Sequence, residues 1–255
     1  MSIILDGTSG INTPNTFAYK NLLIDAGFTI NQRGYVSAAT LASGSYGHDR
    51  WKAGASGGDY SFTQLASNTQ ITIASGKSLI QVVENKNVSG TSYVLSWTGT
   101  AQARYAVNSA TPAGSYAASP IVITGQTAGT TMSVEFNAGT LSIPQLELGA
   151  VATSFDQRAY SQELAMCQRY YQVFPSSRLG AYNIAGSEIA CVMTYNAMRT
   201  SPTSTASGFT LTNVASGAQP SPTNMTSTSG ALRIVAGGTG AAVAYDGIIT
   251  LSAEL

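Results

Sequence analysis

The chain has 255 residues, room for one large or two modest domains. Only 9% of them are charged, against about 25% in ordinary globular proteins, and 12 basic residues balance 12 acidic ones. That balance leaves no basic stripe for nucleic acid or an anionic membrane surface, and no run approaches the ~20 apolar residues of a membrane span.

Residues 1–20 have few apolar positions to bury. LDGTSGINTP is turn-rich and reads as an arm, extended or ordered only by a neighbour. Its first ten residues lack both a positive n-region and an apolar core, so no secretion signal is expected. The two cysteines, Cys167 and Cys191, are then expected as reduced thiols rather than a disulfide.

Residues 21–155 read as an all-β domain. Leu22, Leu23, Ile24 and Phe28 predict a first strand. Alternation is clearer at Ile71 and Ile73, at Tyr93, Leu95 and Trp97, at Ala103, Tyr105 and Val107, and at Met132, Val134 and Phe136. Period-2 spacing places each set on one half-buried face. Turn clusters such as SGGD, ASGK and TPAGS separate them, and no helical period intervenes, which favours antiparallel sheets over βαβ units.

Residues 156–175 predict a linking helix. Ser161 is the expected N-cap, and Glu163 puts an acid in the first turn. Tyr160, Leu164, Cys167, Tyr171 and Phe174 follow a 4-3-4-3 spacing, either a self-association seam or one amphipathic face packed on the chain's own domains. Pro175 is expected to end the helix. Residues 176–255 form a second, smaller β region, in which Ile189, Cys191, Met193 and Tyr195 alternate with Glu188, Ala190, Val192 and Thr194. So small a domain is marginal alone, and burial against sister chains would relieve it. The weak charge of the chain points the same way.

Five stretches carry a family resemblance. LELG-x-VAT-x-F-x-x-R-x-Y-x-x-EL-x-x-CQRYY (residues 146–171) resembles a junction of tail fibre and tail-associated proteins from bacteriophages and prophages. NLLIDAGFTINQRGYVS with SYGHDRW (residues 21–51), ILDGTSGINTP (residues 4–14), AMRTSPT and IITLSAEL are similar to the same group. The resemblance implies a jelly-roll β-sandwich like those of carbohydrate-binding modules, then one linking helix and a smaller C-terminal β-sandwich tip. It also implies a virion protein made in the host cytoplasm, held to other tail proteins through the arm. A parallel homotrimer built on the seam and adhesion to a bacterial surface glycan complete the expectation.

Catalysis has little to stand on. His48 is the single histidine, no G-x-S-x-G elbow is present, and the acids show no paired motif of the kind glycosidases need. The stretch His48-Asp49-Arg50-Trp51 reads as structural, with Trp51 in the core. Asp25 and Glu147 are weak candidates for a structural Ca²⁺ of the sort carbohydrate-binding jelly rolls often carry. No D-x-D-x-D-G loop accompanies them, and two ordinary polar strand residues is the simpler reading. No other cofactor is expected.

Sugar binding is better supplied, because sugar C–H faces stack on aromatic rings while amides and hydroxyls read the OH groups. Tyr46, Tyr60, Trp97, Tyr105 and Tyr116 lie among polar side chains, as do Tyr182, Asn183 and Tyr195 in the C-terminal region. Core or chain-chain packing is the competing role for each ring. The tip is the preferred location, and the first domain around Tyr46, Tyr60 and Trp97 is the alternative. A polysaccharide depolymerase and a purely structural decoration protein remain the other functional readings.

Overall fold

The computed structural model describes residues 4–6 and 10–12 as backbone, and residues 20–215 and 219–255 in full. Strands β1 (Ile4–Asp6) and β2 (Gly10–Asn12) pair antiparallel. The rest of the expected arm lies outside the described residues. The chain divides into two compact units, Met1–Tyr160 and Ser161–Leu255.

Among the described residues, the first unit holds ten further strands. They are β3 (Lys52–Ala53), β4 (Tyr60–Gln64), β5 (Thr69–Ile73), β6 (Leu79–Val83), β7 (Ser92–Thr98), β8 (Ala103–Ala106), β9 (Ala113–Ala117), β10 (Ile121–Thr124), β11 (Met132–Phe136) and β12 (Gly139–Leu148). They form two five-stranded antiparallel sheets, ordered β10-β7-β12-β5-β4 and β3-β6-β11-β8-β9. One core joins the sheets. Ile71, Ile73, Leu95, Ile123 and Leu141 from the first meet Leu79, Val83, Met132, Val134 and Phe136 from the second. The unit is therefore a β-sandwich, and the alternating sets of the sequence supply its inner faces.

The expected strand at Leu22–Phe28 does not form. Asp25 and Phe28 adopt φ of 53° and 49°, a left-handed conformation that no strand can continue. Asp25 Oδ1 accepts from the N–H groups of Thr29 at 2.7 Å and Ile30 at 3.0 Å, which fixes a turn instead. Leu23 and Phe28 are still buried, so their hydrophobicity reported burial and not backbone. Trp51 is fully buried, stacked on Phe28 at 4.8 Å, and its indole N–H donates to Asp25 O.

Helix α1 (Tyr160–Gln168) is shorter than expected, and strand β13 (Tyr171–Asn183) begins three residues later. Tyr171 and Phe174 therefore lie on a strand. The 4-3-4-3 seam is not formed as a helix face, and the homotrimer loses that support. Within α1 the buried side chains are Glu163 and Cys167, while Tyr160 is 62% exposed and Leu164 half-buried. Ser161 falls inside the helix rather than at its cap. The physical cause is the aromatic and β-branched run Tyr171–Phe174, which pairs with residues 249–252. Pro175 does not end the helix. It sits at a break in the register between Phe174 and Ser177, where its missing N–H costs no ladder bond.

The second unit continues with β14 (Glu188–Thr194), β15 (Thr203–Ser207), β16 (Thr210–Thr212), β17 (Ser221–Thr223), β18 (Ser229–Val235) and β19 (Gly240–Ser252). Strands β13, β19 and β15 form one sheet, with β16 also on β19, and β14-β18-β17 form the other. Leu179, Ala242, Ala244, Ile249 and Leu251 from one sheet share a core with Ile189, Leu232 and Ile234 from the other. Neither Cys167 nor Cys191 is in a disulfide. Among the described residues no helix is long and apolar enough to cross a membrane.

Candidate functional site

The sheet β3-β6-β11-β8-β9 turns its apolar side chains inward, so residues one step out of phase face the other way. Glu135 on β11 stands directly across from Arg104 on β8. Arg104 Nε donates to Glu135 Oε2 at 2.6 Å, and Ser78 Oγ donates to Glu135 Oε1 at 2.6 Å. Strand β9 brings Tyr116 alongside, and the Arg104 guanidinium lies 4.8 Å from the centre of its ring. A cleft of about 310 Å³ opens here. Lys77, Arg104, Tyr116, Glu135 and Asn137 supply its chemistry.

Electrostatics fix the state of this site. The hydrogen bond to Glu135 holds Arg104 still more firmly protonated. Burial, followed by the nearby Glu135 charge, pushes the Tyr116 phenol up, so the ring keeps its proton at any physiological pH. Glu135 is 2% exposed and each of its oxygens has a donor. It lines the cleft as a fixed, paired carboxylate, and no second carboxylate lines the cleft with it.

The other rings named from the sequence do not converge. Tyr60 is 1% exposed, stacked on Tyr35 at 4.5 Å, with its hydroxyl 2.7 Å from His48 Nδ1, so neither ring face is open to a ligand. Tyr46 is half-buried under the Arg33 guanidinium, 4.9 Å from the ring centre. Tyr105 packs against the sandwich core. Trp97 is buried edge-on to Phe136, donates to Ala101 O at 2.8 Å, and shows only a margin to a separate cleft of about 210 Å³ with Thr153 and Phe155.

In the second unit Tyr182 is 79% exposed on β13, with Asn183 Oδ1 accepting from the Ile184 N–H. Tyr195 is half-buried, its hydroxyl 2.7 and 2.8 Å from the carbonyls of Thr226 and Ser229. Tyr182 precedes β14 and Tyr195 follows it, so the seven residues of that strand separate them, roughly 20 Å.

His48 is buried, and burial pushes its imidazole down to about 4. Asp25 Oδ1 and both Glu147 oxygens accept from protein donors. Besides the two N–H bonds to Asp25, Glu147 Oε1 accepts from Gln145 Nε2 and Thr153 N, and Glu147 Oε2 from Thr153 Oγ1. At Glu147 those donors hold the positions a cation would need. Among the described residues no three His, Cys, Asp or Glu side chains cluster as metal ligands.

Sequence reasoning passed over Arg104, Lys77 and Asn137, and treated Glu135 only as one unpaired acid. The available signal was that Arg104 and Glu135 are the sole charged residues of β8 and β11. Their adjacency needs the pairing of two strands that lie almost thirty residues apart in sequence, which alternation alone does not specify.

No protein-family model and no curated protein matches the chain. Among solved structures, native recombinant discoidin II of Dictyostelium discoideum aligns at 11% identity and a TM-score of 0.22, over 77% of this chain and 82% of that one. A wild-type discoidin II structure from the same organism aligns at 10% and 0.25, over 93% and 92%. Scores this low carry no argument, and the architecture rests on the strands and cores described above.

Proposed function

We propose that this is a non-enzymatic glycan-binding protein, and that its first unit takes sugar in the Arg104–Tyr116–Glu135 cleft. The observation that carries the reading is a half-buried aromatic ring set among an ammonium, a guanidinium, an amide and hydroxyls in one cleft, the mixture that holds a pyranose. The jelly-roll form of the sandwich and the bacteriophage tail setting rest on the motifs quoted from the sequence. In that setting binding is reversible adhesion to a bacterial surface, strengthened by several copies.

Adhesion is favoured over hydrolysis because the cleft offers one carboxylate, already held by two donors, where a glycosidase needs an acid and a base. The preferred location moves from the tip to the first unit, since Tyr182 and Tyr195 lie far apart. A glycan array with wild-type protein, Tyr116→Ala and Tyr182→Ala tests this. Binding is expected to be lost in the first variant and kept in the second. The opposite pattern returns the site to the tip. New reducing ends released from a bound polysaccharide would make the protein a depolymerase.

A further inference from the structure

Within the cleft, the accounting of donors and acceptors is lopsided. Both Glu135 oxygens are engaged, by Ser78 and Arg104. The Asn137 side-chain oxygen accepts from Gln102 N at 2.8 Å. Among the charged and amide side chains of the cleft, every polar atom with no hydrogen-bond partner at all is a donor. Arg104 uses Nε on Glu135, and its two terminal nitrogens have no hydrogen-bond partner among the described residues. The Asn137 Nδ2 amide is likewise unused. Lys77 donates to Ser56 O at 2.9 Å and lies 3.5 Å from Asp59 Oδ2, which offsets part of its charge and leaves one of its three donors.

A neutral sugar presents hydroxyls that both donate and accept, and it gains most where acceptors and donors alternate. A site whose unpartnered charged and amide atoms are all N–H donors, with a planar guanidinium fork among them, fits a planar anionic acceptor. We propose that the cleft selects an acidic sugar, a hexuronate or sialate residue, with its carboxylate on the Arg104 terminal nitrogens and the Asn137 amide and its ring against Tyr116. This rests on the glycan-binding reading and names the class of sugar.

The test compares acidic polysaccharides with their own carboxyl-reduced forms, which keep linkage and ring but lose the anion. Polygalacturonate, hyaluronan and polysialate serve as probes, with dextran sulfate as a bare polyanion. At least one acidic polymer is expected to bind, and its reduced form to bind at least tenfold more weakly. Asn137→Asp keeps the acceptor for Gln102 N and turns the free donor into an anion. It should lose tenfold or more for the acidic form and little for the reduced one. Arg104→Lys keeps a cation for Glu135 but removes the fork, and should weaken the acidic form selectively. A melting temperature within a few degrees of wild type certifies each fold. Equal binding of acidic and reduced forms overturns the acidic class and leaves glycan binding standing. Dextran sulfate bound as tightly as the uronates also overturns it, as a plain cationic patch. Binding to no polymer, acidic or reduced, overturns both readings.

Discussion

Gln81 treats Ile24 as though it were the next strand. Its Oε1 accepts from Ile24 N at 2.7 Å and its Nε2 donates to Ile24 O at 2.9 Å, so one buried side chain supplies both bonds of a ladder rung. The segment around Ile24 is turned by Asp25 and has no sheet partner there, which makes this amide its substitute. Gln81→Leu fills the same space and leaves two buried backbone groups without partners. At about 1–3 kcal/mol for each group, the first unit should lose roughly 3 kcal/mol. Urea unfolding would show a lower midpoint at unchanged slope, and an unchanged midpoint would mean that water or a shifted backbone satisfies Ile24.

Acid should weaken the first unit through His48. The folded protein keeps this imidazole neutral down to about pH 4, while the unfolded chain protonates it near 6.5. Between those values the unfolded state binds the extra proton, so the stability present above pH 6.5 is lost as pH falls to about 4. The loss is of the order of 3 kcal/mol and does not grow further below that range. The only two tryptophans, Trp51 and Trp97, lie in this unit, so their fluorescence follows it alone. His48→Gln should flatten the slope of the midpoint against pH, and a slope that persists would place its origin in the carboxylates.

The turn after β7 is intolerant of a side chain. Gly99 has φ of 131°, and a Cβ there would fall 2.1 Å from the Thr140 carbonyl oxygen. The same oxygen accepts from Ala101 N, whose carbonyl in turn receives the Trp97 indole. Gly99→Ala should cost roughly 3 kcal/mol or more, the size reserved for special backbone sites. It should also shift the Trp97 emission, and a silent substitution would show that the turn can relax.

In the second unit Arg199 holds the end of the sheet where β13 begins and β19 finishes. Its Nε donates to Ala253 O at 2.9 Å and its Nη2 to Glu254 O at 3.0 Å. Arg199→Met keeps the stem and removes both bonds, and should destabilise the second unit by about 2 kcal/mol. Amide exchange at Ala253, which donates to Tyr170 O, should quicken while the first unit is unaffected. Unchanged exchange would assign the hold to β19 pairing alone.

These cases show what the sequence could and could not tell. Ile71 with Ile73, and Met132 with Val134 and Phe136, were legible because large side chains at every second position have one inner face to fill. Ile189, Cys191 and Met193 read inward, opposite Glu188, Ala190 and Val192, for the same reason. Leu22–Phe28 misled because hydrophobicity reports burial, whereas the left-handed φ at Asp25 follows from a side-chain bond made locally. Tyr171 and Phe174 misled because helix and strand spacings coincide over so short a run, and the partner that decides between them lies some eighty residues away. The cleft was hidden for a related cause. Arg104, Tyr116 and Glu135 meet only through strand pairing, although two of the motifs noted in sequence, AMRTSPT and IITLSAEL, do meet in space through Arg199.

The two ends of the first sandwich are fastened to each other. Leu22 N donates to Leu146 O at 2.8 Å, Asn21 Nδ2 to Pro144 O at 3.0 Å, and Arg158 Nη1 to Leu23 O at 3.0 Å. The chain thus comes into the sandwich and departs from it at one place, as a cassette does from its housing. A body wired in that way can be excised, exchanged for a homologous one or circularly permuted without stretching what flanks it. New ends cut at an exposed turn, with residues 20 and 158 joined by a short linker, should leave the sandwich and its cleft intact. The sandwich and its cleft then exchange as a single module.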